Sequence, residues 1–259
     1  MAGLWRRLLG LAHRSPAVEL GDADWQALLD HLPWVAGLTD SAQTRLRHLI
    51  GRFLADKTIT PTAGLHLDGE QRRIIAALCC LPVVEYGYHG LHGWSEVIVH
   101  PDTFRAHRSH YDEPTGVVTE GEEELAGEVW EHGPVVLSWG DIEADLAEPE
   151  AGFLVAVHEI AHKIDLLDGV FDGTPPLPAD WHRRWVTDFQ SAFDTLVAQV
   201  DAGHDTAIDP YAASSPEEFF AVCSEYHFTA PDLLAAALPA VARHLERLYG
   251  RSPMHSRLD

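Results

Sequence analysis

Basic side chains are scarce in this chain: 18 Lys and Arg stand against 40 Asp and Glu, a formal charge of −22 at neutral pH. A surface with that balance excludes binding of nucleic acid or anionic lipid through a broad basic face, and it suits a basic peptide or a basic partner surface instead. Cysteine is scarce as well. Three residues, the adjacent Cys79 and Cys80 plus Cys223, are too few for a disulfide framework and suit small apolar core positions in a reducing compartment. Long apolar runs are missing too, none approaching the roughly 18 residues of a membrane-spanning helix. The N-terminal Trp5-Arg6-Arg7-Leu8-Leu9-Gly10-Leu11 lacks an apolar stretch long enough for a secretion signal, so a cytoplasmic protein is expected, with no membrane partner. Neither an internal repeat nor a low-complexity segment is present.

What is there suffices for a sizeable core: 259 residues, 46% of them hydrophobic, enough for one large domain. We expect a flexible segment over 1–20 and a single domain over 21–259, helical over 21–82 and carrying the sheet and active-site helices over 83–259. Asp22 to Leu29 reads as a capped short helix ended by Pro33. Thr39-Asp40-Ser41 opens a longer helix whose Leu46, Leu49, Ile50, Phe53 and Leu54 repeat at three and four residues, the mark of one buried face. Thr58 to Pro61 and Leu65 to Leu67 read as short extended pieces, and Glu70 to Leu81 as a helix stopped at Pro82. The period then changes. Val97-Ile98-Val99-His100-Pro101 and Val135 to Trp139 are β-branched or aromatic runs, with Val117 to Thr119 and Glu128 to Trp130 as further strand segments in a small mixed sheet. Asp168 to Ala179, with two glycines and three prolines, is a loop. Helical periodicity returns over Trp181 to Val200, from Ser215 through Tyr226, and over Pro231 to Tyr249. Helices, then strands, then helices make an α+β fold.

One stretch carries chemistry. Within Phe153 to Asp165 stands His158-Glu159-Ile160-Ala161-His162, a His-Glu-x-x-His spacing inside an apolar helical run. Residues four apart share a helix face, so the two imidazoles can converge on one point about 2 Å from a Zn²⁺. Glu159 can then reach water in an open metal position and act as general base of a hydrolase. Burying two histidines and a glutamate on a core helix without a metal or partners would be costly. A catalytic zinc needs a third protein ligand. Glu217, Glu218 and Glu225 are candidates on one helix, and Glu218 and Glu225, seven apart, share a face. Glu218 also sits three residues after Ser215, where it can close a capping box instead. Among the other histidines, His89, His92, His100, His107 and His110 could suggest a further metal site, but they have no ligand spacing within a regular element and read as solvent-facing.

Two blocks, His158 to Asp165 and Asp209 to Tyr226, resemble the Mlc titration factor A family of bacterial zinc metallopeptidases, peptidase family M90. So do Cys80 to Val83, Val97 to Pro101 and Gly133 to Ile142, and the resemblance runs from about Asp24 to Tyr249. It implies a zincin-like fold with one zinc per chain. His158, His162 and Glu218 would be the ligands and Glu159 the base. It implies action on peptide or protein substrates, with aminopeptidase-like cleavage as one form of it. Tyr211 matches a tyrosine shared with the anthrax lethal factor catalytic domain and would donate a hydrogen bond to the oxyanion. Glu225 or Asp165 would accept the distal N–H of a ligand histidine. The strand through Val135, Leu137 and Trp139 would pair with an extended substrate. The family name points to a second expectation, a regulatory protein that binds a transcriptional repressor of the Mlc type, with catalysis secondary.

Overall fold

The computed structural model describes residues 17–102 and 133–255. The chain segments Val117 to Thr119 and Glu128 to Trp130, the Glu-rich stretch 120–128, His107, His110 and the N-terminal 1–16 lie outside them.

Helices α1 (Asp22–His31), α2 (Pro33–Ala36) and α3 (Asp40–Asp56) come first. Pro33 ends α1 and also begins α2 at its first position, where the missing N–H costs nothing. Thr39 caps α3 through its side chain. Leu46, Ile50 and Phe53 of the expected stripe are fully buried, and Leu49 and Leu54 pack beside them. Strand β1 (Thr58–Pro61) leads to α4 (Gly69–Cys80) and the short α5 (Val83–Tyr86). Leu65 to Leu67 is irregular, not extended in a sheet. Asp68 and Gln71 close a full capping box at the start of α4, which stabilises that end and fixes the chain direction. All three cysteines are free and buried.

A 3₁₀ turn (Tyr88–Leu91) precedes β2 (Glu96–His100), and β3 (Val135–Ser138) follows. The three strands lie in the order β1-β2-β3, and both pairings are parallel, with Ile59 opposite Val97 and Val99 opposite Leu137. The sheet is therefore parallel among the described residues, not mixed. Between β1 and β2 the chain runs through α4 and α5, the long crossover that parallel neighbours need. The strand also stops one residue early. Ser138 Oγ accepts from Asp141 N, so Trp139 opens a helix, α6 (Trp139–Ala147), instead of ending β3.

The central helix α7 (Val155–Asp165) buries Val155, Val157, Ile160, Ala161 and Ile164. The valines and isoleucines each contribute roughly 1.5–3 kcal/mol on burial, and this packing outweighs the modest helix propensity of valine and histidine. After a 3₁₀ turn (Leu166–Asp168) and the Gly/Pro-rich loop comes the long α8 (Ala179–Asp201). Another 3₁₀ turn (Pro210–Ala213) leads to α9 (Pro216–Thr229), which packs against α7. The expected last helix is two, α10 (Pro231–Ala237) and α11 (Pro239–Tyr249). Pro239 forces the break, since the residue before a proline is kept out of helical geometry, and Leu238 sits at φ −132°, ψ 65°.

Candidate metal centre

Leu154, the residue capping α7, has no side-chain oxygen, so the orphan N–H groups of the helix start need acceptors from elsewhere. Two buried carboxylates provide them. Glu225 Oε2 accepts from Leu154 N at 2.6 Å, and Asp145 Oδ2 accepts from Val155 N at 2.9 Å. The other Glu225 oxygen, Oε1, lies 2.7 Å from His158 Nδ1, with both side chains at most 2% exposed. A carboxylate at that position accepts the Nδ1–H, which leaves the His158 Nε2 lone pair free to face the site.

What it faces is the rest of the cluster. His162 Nε2 lies 3.1 Å from His158 Nε2, with the rings perpendicular and their centroids 4.7 Å apart. Glu218 Oε2 stands 3.0 Å from His158 Nε2 and its Oε1 3.5 Å from His162 Nε2. Among the described residues this is the one group of His, Cys, Asp or Glu whose donor atoms all lie within 4.8 Å of one another. Two imidazole lone pairs pointed at each other repel unless a cation sits between them. The donor set, two nitrogens and a carboxylate with a buried oxygen that makes no hydrogen bond, fits zinc. Burial pushes the Glu218 carboxyl up, but the adjoining His158 and His162 rings outweigh it and hold the group well below the ordinary carboxylate range.

Ser215 does cap α9, its Oγ accepting from Glu218 N at 3.3 Å. The Glu218 carboxylate turns to the two rings, however, and does not return to the Ser215 backbone. The seven-residue spacing thus puts Glu218 and Glu225 on opposite sides of His158, one at each ring nitrogen. Glu217 lies apart from the rings, close enough to raise the Asp165 carboxyl.

The other expected residues are placed as follows. Glu159 is half-buried on α7, and its charge acts on Lys163 one turn on, whose ammonium is lowered by burial and raised by Glu159. Lys163 Nζ donates to Gly133 O at 2.9 Å, which ties α7 to the chain entering β3. Tyr211 packs its ring 6.4 Å from the His158 ring. The turn carrying it is held by Asp209, whose Oδ1 accepts from Tyr211 N and whose own N–H donates to the Tyr226 hydroxyl of α9. Val135 and Leu137 point into the core, and β3 pairs with β2 alone among the described strands.

Asp165 does not orient a histidine. Its Oδ2 accepts from Gly173 N at 2.8 Å, and His162 Nδ1 is buried with no hydrogen-bond partner. The helix rotates Asp165 away from the ring three residues earlier and towards the following loop. His89 stacks on Tyr86, His92 meets Tyr88 edge-on, and His100 Nδ1 contacts Thr62 Oγ1, so these three form no metal cluster.

Asp145 and Phe171 were not legible in the sequence. Asp145 is one acidic residue among many on an amphipathic helix. Phe171, 44% exposed, lies edge-on to His162 at 5.1 Å, and its one visible signal was an aromatic in a loop of glycines and prolines.

Residues 5–250 match the family described as glucose-regulated metallo-peptidase M90. Proteins named Mlc titration factor A are similar over most of their length. That of Serratia proteamaculans is 36% identical over 235 residues, 90% of this chain and 88% of the relative. That of Escherichia fergusonii is 37% identical over 226 residues, 86% of this chain and 84% of the relative. In Yersinia pestis the figures are 36% over 235 residues, 90% and 86%. A match along nearly the whole chain, centred on a convergent His-His-Glu group, places this protein in the Mlc titration factor A family of M90 metallopeptidases.

Proposed function

We propose that the chain is a zinc peptidase of zincin-like fold whose metal is held by His158, His162 and Glu218. The observation that carries this is the convergence of two Nε2 atoms 3.1 Å apart with a Glu218 oxygen 3.0 Å from one of them. When bound, zinc supplies Lewis acidity, lowering the pKa of a water and polarising the scissile carbonyl. Glu159 takes the proton from that water and returns it to the leaving amine, a role worth typically 10²–10⁴-fold in rate. The Tyr211 phenol donates to the oxygen on which negative charge develops. Glu225 holds His158 in the tautomer whose Nε2 is a ligand. An extended substrate adds through its backbone to the side of β3 that no described strand covers, and α7 steadies the chain entering β3 through Lys163 and Gly133. Aminopeptidase action would demand in addition that the site hold a free amino terminus.

No helix of the described chain is long and apolar enough to cross a membrane, and we place the reaction in the cytoplasm because the buried cysteines stay free. The relatives' name refers to titration of Mlc. Binding of such a repressor by this chain is the second reading, favoured only by the acidic balance and by no particular residue.

Metal analysis beside turnover tests the first reading. Wild type and Glu159→Gln should each hold one zinc per chain, with peptide hydrolysis lost in Glu159→Gln, and Glu218→Ala should lose the metal. Turnover by zinc-replete Glu159→Gln would remove Glu159 from the base role, and full zinc content in Glu218→Ala would remove Glu218 from the ligand set.

A further inference from the structure

The loop after α7 is built to hold one aromatic ring beside the metal centre. Asp168 Oδ1 accepts from Val170 N at 3.2 Å, and Asp172 Oδ1 accepts from Thr174 N at 3.0 Å. Between these two turns sits Phe171. Gly173 is the anchor. Its N–H donates to the buried Asp165 carboxylate and its carbonyl accepts from Trp185 Nε1 of α8 at 3.1 Å. It is buried at φ +76°, and a Cβ there would stand 2.4 Å from Pro216 O at the start of α9. That conformation and that approach admit glycine alone. The loop is thereby pinned to α7, α8 and the first turn of α9, the helix that carries Glu218.

A ring fixed in this way should bury itself or pack on the core if its role were only structural. Phe171 keeps 44% of its surface exposed, next to Val170 at 51%, while its edge contacts His162. An open aromatic face whose edge touches a candidate ligand histidine can receive an apolar ligand group at the site. The two residues that make the flanking turns, Asp168 and Asp172, are both acidic. An acidic substrate side chain is disfavoured there by like charge.

We propose that Phe171 is a specificity-determining residue, the wall of a subsite that takes an aromatic or large aliphatic side chain flanking the scissile bond. Asp165 acts through it as a positioning residue, holding the loop by way of Gly173. This rests on the peptidase reading, so binding and turnover are measured separately. Zinc-loaded Glu159→Gln protein is titrated by calorimetry with short peptides that vary one flanking residue at a time among Phe, Leu, Ala and Asp. The expected result is binding at least about 10-fold tighter for Phe or Leu than for Ala at one flanking position, the scale of discrimination an apolar pocket provides, with Asp weakest. Adding Phe171→Ala should flatten that series to within about twofold while zinc content stays at one per chain. Phe171→Leu should keep part of it. The same preference surviving in Phe171→Ala, no preference in the parent, or no binding of any of these peptides would overturn the subsite. Wild-type hydrolysis of the same set separates the two ideas. Hydrolysis without discrimination overturns the subsite alone, and discrimination without hydrolysis overturns the peptidase reading.

Discussion

Replacing Glu225 by alanine tests how the site is held together. The carboxylate is 1% exposed and serves two buried donors, His158 Nδ1 at 2.7 Å and Leu154 N at 2.6 Å. Removing it strands both. A buried donor left unsatisfied costs about 1–3 kcal/mol, so the metal-free protein should lose about 2–6 kcal/mol. At roughly 2–4 °C per kcal/mol for a chain of this size, that is a fall in Tm of about 4–24 °C. Zinc binding should weaken separately, because loss of such a support typically costs about 10–100-fold in metal affinity. Two assays divide the effect. Thermal unfolding in excess chelator reads the cost at the helix start, and competition with a chelator of known strength reads the imidazole's share. Glu225→Gln should fall between, since its carbonyl replaces one acceptor while its amide N–H faces the other donor. If Glu225→Ala lost stability but bound zinc as tightly as wild type, the carboxylate would be a helix cap alone and its tautomer role would be wrong.

Two further outcomes are expected. Tyr211→Phe should keep one zinc per chain and lower kcat by about 10²–10³-fold, as removal of an oxyanion donor does; an unchanged kcat in steady-state hydrolysis would take Tyr211 out of the reaction. Asp165 bears on pH. Burial raises its carboxyl to about 7, with Asp172 and Glu217 adding to the rise and the Gly173 and Thr174 N–H groups opposing it. The folded state therefore binds more protons than the unfolded state between the ordinary aspartate range and about 7. This group's contribution to stability is full below that window and is lost as pH rises through about 7, by an amount on the order of a few kcal/mol. Denaturant unfolding of chelator-treated protein from pH 4.5 to 8 should show wild type losing stability relative to Asp165→Asn up to about pH 7 and running parallel above it. Parallel curves throughout would mean that Asp165 titrates as an ordinary carboxylate.

The elements that sequence patterning located are those whose cause is local. The α3 stripe of Leu46, Ile50 and Phe53 and the run Val97 to Val99 both declare their buried faces by spacing, and the structure forms both. Where a single capping atom or one proline decides, spacing does not show the boundary. Ser138 turned Trp139 from strand to helix, and Pro239 cut the last helix in two. Strand direction was not legible at all, because parallel and antiparallel neighbours differ in their connections and not in the residues of a four-residue strand.

The candidate centre divides along the same line, and the acidic balance shows why. His158 and His162 are legible because both lie on one helix, where spacing alone sets their direction. Glu218 and Glu225 are legible as a pair by the same seven-residue rule, but which of them meets Nε2 and which Nδ1 depends on how α9 docks on α7. Asp145 and Asp165 have no such signature. Forty acidic residues give the chain its charge of −22, and most of them are solvated. The few that build the site differ by being buried against an N–H: Asp145 on Val155, Glu225 on Leu154 and His158, Asp165 on Gly173. Each is a costly anion to bury alone, and each is stabilised only by the tertiary contact that also makes it useful. The composition therefore describes the surface, while the same residue type, desolvated at both ends of α7, caps the helix start, holds the His158 ring and anchors the loop that follows.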